Sequence, residues 1–104
     1  MLTVHELLKE LTVEARRALA SKTTDEDILD ILAVDANKFV RAAAIANPAT
    51  RWSTVNRTIG DTEFIVRLAA AKSPNLTDAS IQILLKDKES GIVNAAKANK
   101  KRRR

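Results

Sequence analysis

Apolar residues along this chain recur at helical spacing and never in strict alternation, so helices are predicted and strands are not. Val4, Leu7, Leu8 and Leu11 form one stripe, opened by Thr3 with Glu6 three residues on, a capping-box pair. Thr12, with Glu14 close behind, opens a second helix predicted to reach Ala20, so residues 3–21 read as a helical pair. Thr24 and Asp27 start the next helix, with Ile28, Leu29, Ile31 and Leu32 on its buried side and an end near Ala33 or Val34. A turn through Asp35, Ala36 and Asn37 leads into a helix over about 38–46. Further helices are predicted over about 51–59 and 62–72, with Gly60 and Asp61 as C-cap and N-cap between them. Thr77 caps the following helix, which turns Ile81, Ile83, Leu84 and Leu85 inward, and the last helix spans about 90–99.

These helices come in copies. Residues 40–50 read Val-Arg-Ala-Ala-Ala-Ile-Ala-Asn-Pro-Ala-Thr, an Ala-rich helix stopped by Asn-Pro, with Thr50 placed to cap the next one. The pattern recurs 26 residues later as Val-Arg-Leu-Ala-Ala-Ala-Lys-Ser-Pro over 66–74. A worn third copy sets Ile92, Ala95, Ala96, Ala98 and Asn99 opposite Val40, Ala43, Ala44, Ala46 and Asn47. In the same register Arg16 and Arg17 fall opposite Ala42 and Ala43, as in a diverged terminal unit. Short helical pairs leave an apolar face bare unless they stack, which is the logic of a solenoid. The expectation is an all-α fold, an α-solenoid of three to four helical pairs over residues 1–96. Its units lie at about 1–21, 22–47, 48–73 and 74–99, and residues 97–104 form a basic C-terminal tail.

The pattern Leu32-Ala33-x-Asp35, then Val40-Arg41-x-Ala43-x-x-Ala46-Asn47-Pro48-x-Thr50, resembles the leucine-rich repeat variant family, a short-period relative of HEAT repeats. The copy from Asp61 through Val66-Arg67-Leu68-Ala69-Ala70-Ala71 to Thr77 matches it about as well, and the resemblance covers roughly residues 24–99. It implies a right-handed helical superhelix in which the first helix of each pair is short or partly 3₁₀. By the same comparison, Asp35 with Arg41 and Asp61 with Arg67, each six residues apart, imply a structural ladder joining successive units. Asp87 continues the aspartates but Val93 stands at the arginine position, so the ladder is expected to stop there. Some relatives carry an iron–sulfur module; without cysteine, that role does not carry over.

Composition narrows the function. The absence of cysteine excludes disulfides, thiolate metal sites and cysteine nucleophiles. Aromatics make up only 3% of the chain, so the core must be aliphatic and rich in alanine. With one histidine, no tyrosine and two isolated glycines there is no phosphate-cradling loop, no nucleophile–base pair and no metal motif. His5 stands alone. The acidic run Asp25, Glu26, Asp27 and Asp30 reads as capping and dipole compensation at a helix start. No catalysis, cofactor or metal is expected. No apolar run reaches a membrane span and no signal-peptide order is present, so a cytoplasmic protein without a membrane partner is the expectation.

Charge is the strongest functional signal. The formal net charge is +5, yet the first 96 residues carry 12 basic and 13 acidic groups. The excess lies in Lys97, Lys100, Lys101, Arg102, Arg103 and Arg104. Such a cluster attracts phosphates without reading sequence, and its plain alternative is a solvated tail. Arg51, Arg57 and Lys72 are secondary candidates for polyanion contact, the first two as a small basic spot. Arg57 stands at the position of Ile31 and Ile83, where an exposed, snorkelling side chain is the plain alternative. Trp52, Arg16 and Arg17 are candidates for protein contact. For Trp52 the favoured reading is core filling, because Thr58 stands where sibling helices have Leu32 and Leu84. The expected function is docking on nucleic acid or a nucleoprotein assembly through the basic tail. The alternative is a protein–protein adaptor or inhibitor, a small bacterial or phage accessory protein that uses a solenoid face.

Overall fold

The computed structural model describes residues 1–103; Arg104, one of the expected polyanion contacts, lies outside the described residues. Among these the chain forms eight helices and no strand: α1 (Val4–Lys9), α2 (Val13–Lys22), α3 (Glu26–Leu32), α4 (Lys38–Ala46), α5 (Trp52–Asn56), α6 (Phe64–Lys72), α7 (Asp78–Leu84) and α8 (Ser90–Arg102). Several start where a side chain can accept from the free N–H groups of the first turn. Thr3 and Glu6 make the reciprocal capping box of α1, and the hydroxyls of Thr12 and Thr77 accept from Ala15 N–H and Ser80 N–H. Asn37 caps α4 through the N–H groups of Phe39 and Val40. At α3 the cap is Asp25 rather than Thr24, since its carboxylate reaches both Asp27 N–H and Ile28 N–H.

The caps around α5 and α6 differ from expectation. Helix α5 ends at Asn56 with Arg57 as its C-cap, so Gly60 caps nothing, and Glu63, not Asp61, is the N-cap of α6. The Asp61 carboxylate is engaged by Arg41 and by the Glu63 N–H. Thr50 does not cap α5 either, because its hydroxyl donates back to the Ala44 carbonyl, which also accepts from the Asn47 N–H at the end of α4.

Helices α2, α4, α6 and α8 pack one against the next in chain order, with α3 against α2 and α4, and α7 against α8. Helices α4, α6 and α8 begin at Lys38, Phe64 and Ser90, 26 residues apart, whereas α2 begins at Val13, 25 before α4. The molecule measures 46 × 25 × 17 Å. Ala20, Ala44, Ala70 and Ala96 are fully buried in the layer of even-numbered helices. Their small side chains let neighbouring axes approach, while Leu29, Leu32, Val55, Ile81 and Leu84 of the odd helices close the core from the other side.

Three expectations about side chains are corrected. Trp52 does not fill the core: it is 64% exposed in the first turn of α5. Thr58 is buried without it, its hydroxyl satisfied by the Val55 carbonyl. Ile83 is 58% exposed, so the position it shares with Arg57 is a surface position and the arginine there breaks no apolar core. Finally, residues 97–102 are the last turns of α8, not a tail leaving a helix at Asn99. Lysine and arginine are good helix formers, and cations suit a helix C-terminus.

Trp52→Ala should therefore shift stability by no more than about 0.5 kcal/mol, as for surface substitutions generally. Val55→Ala, on the buried side of the same short helix, should cost several times more; urea unfolding of both variants checks the contrast.

Candidate binding surfaces

Surface cations can bind a partner only if the fold has not already neutralised them. Three arginines are taken up by a line of rungs. Arg16 Nε and Nη2 donate to the Asp35 carboxylate at 2.7 and 3.3 Å, Arg41 to Asp61 at 3.1 and 3.1 Å, and Arg67 to Asp87 at 2.9 and 3.4 Å. The third guanidinium nitrogen turns back to its own unit: Arg16 Nη1 to the Leu11 carbonyl, Arg41 Nη1 to Asp35 and Ala36, Arg67 Nη1 to Asp61 and Thr62. Each aspartate also accepts an N–H two residues on, from Asn37, Glu63 and Glu89. The last rung is the most buried: its side chains are 8% and 9% exposed, against 17% and 11% at Arg16–Asp35 and 15% and 15% at Arg41–Asp61.

A second line, absent from the sequence reading, runs through asparagines near the helix C-termini. Asn47 Nδ2 donates to the Ala20 and Thr23 carbonyls at the end of α2, and Asn99 Nδ2 to Ala71 and Ser73 at the end of α6. Between them Ser73 replaces asparagine, and Asn75 Nδ2 takes the Pro48 and Thr50 carbonyls instead. The signal was present in Asn47 and Asn99 at matching positions. On sequence alone Asn47 reads only as a helix stop.

Arg16 is thus held in a rung and is no free contact. The structure aligns it with Arg41, one residue out of the assumed register, because the step from α2 to α4 is 25 residues. Arg51 is also engaged. It pairs with Glu26 at 3.2 Å, Asp27 at 3.0 Å and Asp30. The Asp27 hydrogen bond, followed by Asp30 and Glu26, outweighs desolvation and raises its pKa further. Arg57 sits at the far end of α5 and donates to Thr54 Oγ1 at 3.3 Å, so the two make no common basic spot.

The cations of α8 are different. Lys97, Lys100, Lys101 and Arg102 are exposed, and none lies within 4.0 Å of a carboxylate among the described residues. Arg103 instead anchors the helix end: it donates to Asn99 Oδ1 at 2.9 Å and to the Pro74 carbonyl at 3.3 Å, and lies 3.6 Å from Asp78. Asn99, gripping α6, completes the anchor.

A groove of about 490 Å³ runs across the even-numbered layer. Ala42, Ala43 and Ala46 of α4 with Ile65, Leu68 and Ala69 of α6 form its floor. Arg17 and Ser21 of α2 line one side, and Phe39 and Lys72 complete it. The Arg17 guanidinium lies 5.4 Å from the Phe39 ring centroid, within cation–π range. No acid lines the groove.

Comparison with protein-family models, with curated proteins and with solved structures found no match. Among the described residues no group of three or more His, Cys, Asp or Glu side chains is placed to hold a metal ion, and no helix is long and apolar enough to cross a membrane. What the molecule can do must be argued from these surfaces.

The rungs are predicted to contribute unequally to stability. Removing one partner of a buried pair strands the other, so Arg67→Ala should cost roughly 3 kcal/mol. At the more exposed end, Arg16→Ala should cost on the order of 1 kcal/mol. Urea unfolding measures both.

Asp87 adds a pH dependence. Burial pushes its carboxyl up, but the Glu89 N–H, the Arg67 guanidinium and nearby Lys88 together outweigh burial and hold it below its ordinary 3.8. A carboxyl depressed on folding stabilises the fold fully above its unfolded value, and that contribution is lost as pH falls through the folded value. The stability gap between the natural chain and Asp87→Asn should therefore be constant near neutrality and close only below about pH 3.8. A gap unchanged down to pH 2.5 or so would exclude Asp87 as the titrating group.

Proposed function

We propose that the chain is a non-catalytic binding module that docks on nucleic acid or a nucleoprotein assembly through the basic end of α8. The frame we infer for it is a short right-handed α-solenoid with a 26-residue repeat of the leucine-rich repeat variant kind. Equal spacing of the α4, α6 and α8 starts and the succession of rungs support that frame.

One observation carries the docking reading. Four cations project from one helix end without an acidic partner, while Arg16, Arg41, Arg51 and Arg67 are neutralised by carboxylates. Phosphate binding by such a cluster is driven by Coulomb attraction and counterion release. Because Arg103 and Asn99 hold the helix end against α6 and α7, the charges are already positioned, which lowers the ordering cost of binding. The contacts would be to backbone phosphate, with little discrimination of sequence.

The test is fluorescence anisotropy with labelled single- and double-stranded DNA and RNA across a salt series. Cutting the chain after residue 96 would also remove Asn99, so the comparison uses Lys97→Gln, Lys100→Gln, Lys101→Gln and Arg102→Gln together. Four phosphate contacts predict a log–log salt slope of about −3 to −4 for the natural chain, and no measurable binding for the variant. Absence of binding at about 50 mM salt would sink the proposal.

A further inference from the structure

We infer that the groove across α2, α4 and α6 is a docking site for an acidic amphipathic helix of a partner protein. This rests on different residues from the basic end of α8 and stands or falls separately.

The floor decides the chemistry. Ala43, Ala46, Ile65 and Leu68 offer apolar surface, and Ser21 is the lone uncharged polar side chain among the lining residues. An extended peptide laid there would leave its N–H and C=O groups desolvated and unpaired, at a cost of a few kcal/mol for each group that stays unpaired. A helix satisfies its backbone internally and brings only side chains to the surface, so a helix is the occupant the floor accepts. Nucleic acid suits it poorly. Phosphates gain nothing over alanine and leucine, and base edges would meet no row of donors and acceptors.

The rim decides the charge. Arg17 on α2 and Lys72 at the end of α6 flank the groove, and neither pairs with a carboxylate among the described residues. Helices α2 and α6 are separated by α4, so they stand two interaxial spacings apart, roughly 16–20 Å. That width admits one helix of about 10–12 Å diameter above α4, with room for carboxylates to reach out to both rims. Phe39, 43% exposed and already under the Arg17 guanidinium, supplies the aromatic anchor that such grooves use. The absence of any acid among the lining residues makes the complementarity one-sided: a basic helix would find no partner.

The probe is a synthetic amphipathic helix of about 18 residues with leucines at helical spacing and glutamates flanking them, set against the same peptide with lysines for glutamates. Binding is read by anisotropy, and its location by NMR shifts of the Ala42, Ala43, Ala46 and Ala69 methyl groups. The acidic peptide should bind the natural chain and shift those methyls; the lysine peptide should do neither. Arg17→Glu with Lys72→Glu should weaken binding at least tenfold, and Ala46→Glu, at an exposed floor position, should weaken it independently while circular dichroism shows an unchanged fold. The four-glutamine variant of α8 should bind the acidic peptide as the natural chain does. Loss of peptide binding in that variant, without shifts in the groove methyls, would assign the peptide to α8 and overturn the inference. So would equal affinity for the two peptides, no binding by the acidic one, or groove-methyl shifts produced by a single-stranded oligonucleotide instead. If the peptide fails while oligonucleotides still bind α8, the groove reading alone is lost.

Discussion

The guanidinium–carboxylate rung is the interaction on which the rest of this structure depends. A single arginine spends one nitrogen on the turn of its own unit and two on the aspartate of the next, while that aspartate also receives an N–H from its own turn. One ion pair thus fixes two turns and the position of one even-numbered helix relative to its successor. Planarity makes this possible, since the guanidinium fork presents donors in fixed directions that an ammonium lacks. Partial burial would ordinarily make such pairs costly through desolvation. Here the desolvation is offset by complete satisfaction: no buried side-chain nitrogen or oxygen among the described residues is left without a partner. On the other side of the stack the asparagines do the same for helix C-termini, which carry carbonyls and no charge, so a neutral amide donor suffices.

That demand for internal neutrality determines where charge is left over. The rungs take Arg16, Arg41 and Arg67, and α3 presents three carboxylates to Arg51, which ties the start of α5 to α3. Both proposed surfaces lie where no rung is needed. The α8 cations lie beyond the last aspartate, Asp87, which is already taken by Arg67. Arg17 and Lys72 lie on the open face of α2 and α6, away from the turns that the rungs join.

How much of this was legible in the sequence follows from the range of each interaction. Helix α4 was predicted over its observed span, and the starts of α4 and α8 were read correctly, because alanine runs and Asx or Pro punctuation act within a few residues. The six-residue Asp–Arg spacing marks residues that the structure places in rungs, yet the bonds themselves join residues 19 or 20 apart, from one unit to the next. A register of 26 residues therefore set Arg16 beside Ala42, where a 25-residue step sets it beside Arg41. Nothing in the local pattern shows that one-residue difference. The expectation that Trp52 fills a gap beside Thr58 fails for a related reason. It balances volume at one helix against its siblings, whereas Thr58 satisfies its hydroxyl within its own turn and needs no neighbour to fill its place. The groove is not legible in the sequence, because the alanines of its floor are the same residues that serve as helix formers.

The middle of the molecule shows what separates frame from periphery. Helix α5 has five residues, no side-chain cap and its largest apolar side chain in solvent. So short a helix has little stability of its own and holds its shape by packing, through Val55, and by what Arg51 and Thr54 make with α3. Apart from the N-terminal α1, which buries only Leu8, local opening should begin there, because the free energy of opening follows buried contact and α5 buries only Thr54 and Val55. The layer of α2, α4, α6 and α8 does not pass through α5, since its rungs run from turn to turn and its alanines pack helix to helix. A fluctuation of α5 can therefore leave both the groove and the α8 end in place. Both proposed surfaces lie on the layer joined by the rungs and not on α5, so two partners bound there would keep a fixed separation. Linking two ligands at a fixed span raises the effective concentration of the second once the first is bound. An acidic helix and a polyanion carried by one assembly would be held together in that way, with no conformational change in the protein between them.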